Sequence, residues 1–219
     1  MLVSKAVTIF NVLNDKFGSP NVIESEIIDH FNFAISEYLN RLFPDNQGGV
    51  VNFELDSNVL MNLQPLIYPL NSLAVTSGVL LNSTINSALV TAAGAGSTYF
   101  RIMNVSYTNG GSTYYAKYAK HNNILAYERN TYKAPSATKV YYSPVAAGLK
   151  FYPSSTSTVS PTVVKNPKVL TTSDLSTSFE FSDYVVYNII AIALKLSGIG
   201  TRDAELIDDV RMTGLQITQ

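Results

Sequence analysis

The chain has 219 residues, enough for one or two domains with a sizeable core. Charged residues are 14% of it, with 15 basic against 16 acidic side chains for a net charge of −1, and cysteine is absent. This excludes disulfides, thiolate metal sites and a cysteine nucleophile, and the scattered, balanced basic residues give no footprint for tight nucleic-acid binding.

Globular chains usually carry ~25% charged residues, and the mean hydropathy here is +0.11. So sparse an ionic coat predicts that much of the surface is covered by other subunits. The alternative is a β-rich surface wetted by Ser, Thr and Asn. The first residues, MLVSKAVTIFNVLNDKFG, show no basic leader before a long apolar run and no A-x-A site, so export by a signal peptide is not expected.

In chain order, Val3, Ala6, Val7, Phe10, Leu13 and Phe17 recur at helical spacing, and Gly18 with Pro20 ends the run. A second helix is predicted over 22–43, with Ser19 before Pro20 as its start signal and Pro44 as its close. Its apolar stripe runs through Ile27, Ile28, Phe31, Ile35, Tyr38, Leu39 and Leu42, with Glu26, Asp29 and Glu37 mostly off it. The two helices read as a hairpin.

After Gln47-Gly48-Gly49 the pattern turns to β. Residues 50–55 alternate as a strand would, and 60–70, with Pro65 and Pro69, is irregular or an edge. Residues 73–97 read as a low-charge Ser/Thr/Ala/Val run containing a flexible Gly94-Ala95-Gly96 link. Asn109-Gly110-Gly111 between aromatic runs at 98–106 and 113–118 is a hairpin signal. A short helix is expected over 120–130, and strands at 139–142, 149–152 and 162–164.

The stretch 179–196, FEFSDYVVYNIIAIALKL, is apolar nearly all the way round from Tyr184, interrupted mainly by Asn188 and Lys195. A helix wet on one side carries a polar face at a 3.6-residue period, and this one does not, so it is predicted to be the buried centre of the fold. It is shorter than the roughly 20 residues that span a bilayer. Ser182 or Asp183 is its expected start and Gly198 its left-handed stop. A last helix is predicted at 202–212, with Asp203 and Glu205 near its positive end and Asp208 and Asp209 after them.

The fold class expected is therefore α+β: N- and C-terminal helices packed as a helical base, with a central β-rich, antiparallel insertion. The divisions are a helical hairpin at 1–46, the insertion at 47–172 and the completing helices at 173–219. Chemistry leaves no mark that singles out catalytic, cofactor-binding or metal-ligating residues. Glu26 and His30 lie four apart on one helix, but one carboxylate and one imidazole are an incomplete metal site. His121 sits in a polar cluster at a helix start. There is no Gly-x-Ser-x-Gly elbow, dinucleotide fingerprint or phosphate loop. All ten tyrosines from Tyr99 to Tyr152 fall in the β-rich part. They suit strand packing, subunit contact, or a sugar-stacking surface of a carbohydrate-binding module.

Tyr127-Glu128-Arg129-Asn130-Thr131-Tyr132-Lys133-Ala134-Pro135 is followed by Val140-Tyr141-Tyr142-Ser143, Leu149-Lys150-Phe151-Tyr152-Pro153 and Val163-Val164-Lys165-Asn166-Pro167-Lys168. This succession ahead of a terminal helical pair resembles structural proteins of tailed bacteriophages, closest to the ring-forming head–tail connectors (adaptors) of crAss-like podophages. It covers roughly 120–212 by motif order. The resemblance implies a non-enzymatic virion protein without cofactors, synthesised in the host cytoplasm and sited at the portal–tail neck. Its implied partners are copies of itself in a ring, twelve by tailed-phage symmetry, the portal protein, the adjacent tail or collar proteins, and genomic DNA that passes without specific binding. No membrane partner is implied. A tail-completion or decoration role is the neighbouring alternative. The acidic last helix would lie near the DNA channel.

Overall fold

The structure, a computed structural model, describes residues 1–16, 22–43, 61–198 and 210–213. The elements are α1 (Val3–Lys16), α2 (Glu24–Leu42), β1 (Ile67–Pro69), β2 (Leu73–Ala74), β3 (Val79–Leu81), α3 (Asn82–Ala93), β4 (Tyr99–Asn109) and β5 (Ser112–Tyr115). Then come β6 (Lys117–Tyr118), α4 (His121–Glu128), β7 (Tyr141–Val145), β8 (Gly148–Tyr152), β9 (Thr158–Lys165) and α5 (Asp183–Leu196). This is a mixed α+β fold with terminal helices and central, mostly antiparallel sheets. The described residues form two compact units: a helical one from 1–16, 22–43, 61–65, 167–198 and 210–213, and a β-rich one from 66–166. Residues 167–172 therefore group with the helices rather than with the insertion.

In the helical unit α5 packs mainly on α2 and also on α1. Val185, Val186 and the unbroken run Ile189–Leu194 are buried, so α5 is covered on more than one face, as its lack of a polar stripe requires. Ser182 precedes the helix but makes no side-chain cap bond; its hydroxyl instead donates to Asn62 Oδ1 at 3.3 Å. The Asp183 carboxylate accepts from the N-terminal amine of Met1 at 2.6 Å. The helix stops at Gly198 with φ +99°, whose amide donates to the Lys195 carbonyl.

α2 begins at Glu24, and the Ile23 amide before it donates to Glu26 Oε2 at 3.2 Å, satisfying one of the orphan donors of the helix start. The proposed stop at Phe17, Gly18 and Pro20, the start at Ser19 and the close at Pro44 lie outside the described residues. Ahead of α1, the chain docks by backbone on the segment before α5, with Val3 N donating to Thr177 O and Phe179 N to Met1 O, both at 2.9 Å.

The β-rich unit has two sheets. One runs β1-β9-β4-β5, with β2 also on β9, and the other runs β3-β8-β7-β6. All pairings are antiparallel except β6 with β7, which is parallel, so the insertion is antiparallel-rich as expected. Leu80, Leu89, Val105, Tyr142, Phe151 and Val163, drawn from both sheets and from α3, share one core.

The Asn-Gly-Gly hairpin forms, with Asn109 opposite Ser112. Gly110 and Gly111 take φ of +57° and +81°, the pair of positive angles that a tight primed turn needs. Pro69 sits on edge strand β1. Pro161 lies inside β9 without breaking it, because its carbonyl accepts from Leu70 N at 2.9 Å at the gap between the β1 and β2 pairings, where no ladder amide is needed.

Three readings of this region are corrected. Residues 73–97 hold β2, β3 and the whole of α3, and Gly94 caps that helix rather than serving as a loose link. Asn, Ser and Thr are poor helix formers, so α3 rests on tertiary burial of Ile85 and Leu89. The strand expected at 139–142 runs instead over Tyr141–Val145, and β9 extends well beyond 162–164. The strand expected at 50–55, and Asp203, Glu205, Asp208 and Asp209 of the last helix, lie outside the described residues; Val210–Thr213 is helical.

Candidate interaction surfaces

Glu26 and His30 have different partners in the structure. Glu26 is engaged in the start of α2, while the His30 ring stacks on Phe10 with centroids 6.3 Å apart and planes at 16°. His121 opens α4. Among the described residues no three His, Cys, Asp or Glu side chains gather as a metal site would require.

The tyrosines of the β-rich unit divide by exposure. Tyr107 and Tyr114, cross-strand partners on β4 and β5, stack at 5.6 Å. Tyr142 meets Tyr118 edge-on at 6.0 Å and Phe151 at 6.2 Å. Tyr127 lies 5.1 Å from Tyr141. The Tyr107 hydroxyl accepts from the Val140 amide at 3.3 Å. Burial pushes the Tyr142 hydroxyl up to about 12, with the neighbouring Tyr118 adding to it, and burial likewise raises Tyr107 and Tyr141. The ring pairs lie within one sheet or between α4 and β7, and the Tyr107–Val140 bond reaches from β4 to the residue before β7. A sugar-stacking platform needs open ring faces, and of the ten only Tyr115 (67% exposed) and Tyr132 (87%) are largely in the open. One open cleft of about 490 Å³ lies between Glu128, Pro135, Lys150 and Tyr152, where Lys150 Nζ stands 5.3 Å over the Tyr152 ring.

The helical unit is fixed by a few polar anchors. Asn32 pairs with the backbone of Leu170 in both directions: its Nδ2 donates to the Leu170 carbonyl and the Leu170 amide donates to its Oδ1, each at 2.9 Å. Asp174 takes bonds from the Thr171 amide and hydroxyl and from the Lys168 amine. Those partners, Lys168 first, hold its carboxyl below the ordinary value.

On its outside this unit leaves large apolar side chains in the open. Ile23, Phe33, Met61 and Val169 are 62–72% exposed. Between α2 and α5 runs a mostly apolar groove of about 180 Å³, walled by Tyr38, Leu42, Ala191 and Ile192, with Arg41 and Lys195 adding two cations. Burial, and secondarily Tyr184, raises the Tyr38 hydroxyl above its usual value. Neither the groove nor Phe33 was singled out by sequence reasoning. Phe33 carried a usable signal: it is the one aromatic of α2 that does not fall on the helix's apolar stripe.

Compared with protein-family models and with curated proteins, the sequence matches no family model and no curated protein. No helix among the described residues is long and apolar enough to cross a membrane.

Proposed function

We propose that this chain is a structural subunit that assembles side to side with copies of itself, as the ring joining portal to tail in the neck of a tailed phage. The observation that carries the reading is the helical unit's surface. A chain with few charges exposes Phe33, Met61, Ile23 and Val169 on this unit, which also carries an apolar groove. Single exposed apolar residues are ordinary. Several large ones on one helical unit favour contact between subunits. The motif order of residues 120–168 supplies the phage part of the reading. The partners proposed are the portal protein, the adjacent tail or collar proteins, and DNA passing through without specific contact.

Co-expression with the portal protein tests it. The two proteins are expected to purify together as a ring-on-ring complex visible by negative-stain microscopy. Failure to bind portal, with the chain absent from purified particles, would refute the assignment. A carbohydrate-binding role draws little support from rings so largely committed to packing.

A further inference from the structure

We infer that Phe33 of one copy seats in the α2–α5 groove of the next, a head-to-tail contact repeated from subunit to subunit. This rests on the assembly reading above and names the residues that would make it.

Three observations converge. The first is a side chain out of place. Phe33 is 66% exposed on the polar side of α2, where Asp29, Ser36 and Glu37 are its exposed neighbours. A phenyl ring in water on a folded surface carries a cost in solvation that only a covering partner removes.

The second is a cavity of the right size. The groove holds about 180 Å³ between Tyr38, Leu42, Ala191 and Ile192, and an apolar cavity of about 150 Å³ suffices to take a benzene ring. The third is charge. One and two turns before Phe33 stand Asp29 and Glu26, whereas Arg41 and Lys195 line the groove. Arg41 also pairs with Glu37 at 3.0 Å, so an acidic flank arriving with the phenyl ring would meet a groove edge of Lys195 and a shared Arg41, which favours this approach over the reverse one.

The placement also decides what kind of contact this is. At about 100° per residue, Tyr38 and Leu42 lie about 140° and 180° round α2 from Phe33. Knob and groove are therefore on different sides of the same helix, and one copy can use both at once. Such a contact is heterologous. It closes as a ring or runs on as a filament, and it does not stop at a dimer.

The test uses the full chain in three forms: wild type, Phe33→Asp, and Ala191→Phe to fill the groove. Size-exclusion chromatography with light scattering follows each alone and in a 1:1 mixture. Wild type is expected to form closed multimers, and each variant alone to associate at least tenfold more weakly. The mixture is expected to recover one contact, giving a heterodimer between the intact Phe33 of the groove-filled copy and the intact groove of the other.

Position 33 tolerates substitution because it is on the surface, so the inference does not depend on Ala191→Phe folding. A photo-crosslinking benzoyl-phenylalanine at position 33 is expected to attach to 38–42 or 188–195 of a neighbouring copy. Multimers that persist in Phe33→Asp, or crosslinks that map elsewhere or within one copy, overturn this contact while leaving the ring reading standing. A wild type that is monomeric at every concentration overturns the contact itself, and the portal and particle experiments then decide the ring reading separately.

Discussion

In the β-rich unit the aromatic side chains point largely inward: Tyr107, Tyr141, Tyr142 and Phe151 are all buried, and two sheets and α3 close over one core. In the helical unit α5 is enclosed by its neighbours, yet Phe33, Ile23, Met61 and Val169 are left on the outside. The two units place their apolar groups differently. The β-rich unit packs sheet on sheet, yet leaves Tyr115, Leu125 and Tyr132 in the open. The helical unit covers its central helix and leaves Phe33, Ile23, Met61 and Val169 exposed, the side chains that the proposed assembly would cover. Low charge across a whole chain therefore does not by itself locate an interface.

Core truncations press hardest on this contrast. Phe151→Ala in the β-rich core is expected to cost about 3–5 kcal/mol, and Ile189→Ala in α5 about 2–5 kcal/mol, both side chains being fully buried. Urea unfolding of each variant, followed by tyrosine fluorescence and by helical circular dichroism, shows which unit each change loosens. Equal loss of both signals from either substitution would break the two-unit description.

Next in size is Gly148→Ala. Gly148 opens β8 with φ +154°, and an added Cβ would stand 2.0 Å from the Leu80 carbonyl oxygen. The β3–β8 pairing must open to admit it, at an expected cost of about 2–4 kcal/mol, measured by the same urea titration.

Alkaline titration sharpens the account of the buried tyrosines. The Tyr142 hydroxyl is pushed up to about 12 from an ordinary 10.0. Between those values the unfolded chain gives up a proton that the folded chain keeps, so stability falls as pH rises. The loss is about 2–3 kcal/mol by pH 12, and Tyr142→Phe is expected to remove that part of the slope. Asn32→Ala, which strips both partners from the Leu170 backbone, is expected to cost about 1–3 kcal/mol and to appear in the helical signal.

The smallest effect is at Asp174. Its carboxyl lies below the ordinary value chiefly because of Lys168, so its stabilisation is present above pH 4 and lost as pH falls through the lowered folded value. Asp174→Asn is expected to flatten stability over that acid window in a series of urea titrations.

Much of this was legible in the residues. The uninterrupted apolar run of α5 required burial, and Asn109-Gly110-Gly111 dictated a tight turn. The stripe Ile27, Ile28, Phe31, Ile35 gave α2 its inner face. What was not legible depended on distant partners. α3 carries Asn, Ser and Thr at most of its early positions and is a helix because Ile85 and Leu89 have a core to enter. Pro161 argues against an interior strand until the gap between β1 and β2 is seen. The parallel β6–β7 pair, the docking of Met1–Ser4 on Leu175–Phe179, and the two-way bond of Asn32 with Leu170 all join residues far apart in the chain, where no local period can announce them. The groove belongs to the same class: its walls come from α2 and α5, more than 140 positions apart in sequence. Phe33 was visible all along as an aromatic off the stripe, and the groove is the destination proposed for it.

Electron cryomicroscopy of intact particles tests the central claim most directly. The expected result is a closed ring of this chain at the portal–tail neck, its copies in contact through the helical unit. Particles that lack the chain, or that carry it as isolated subunits with those helices facing solvent, would contradict the account.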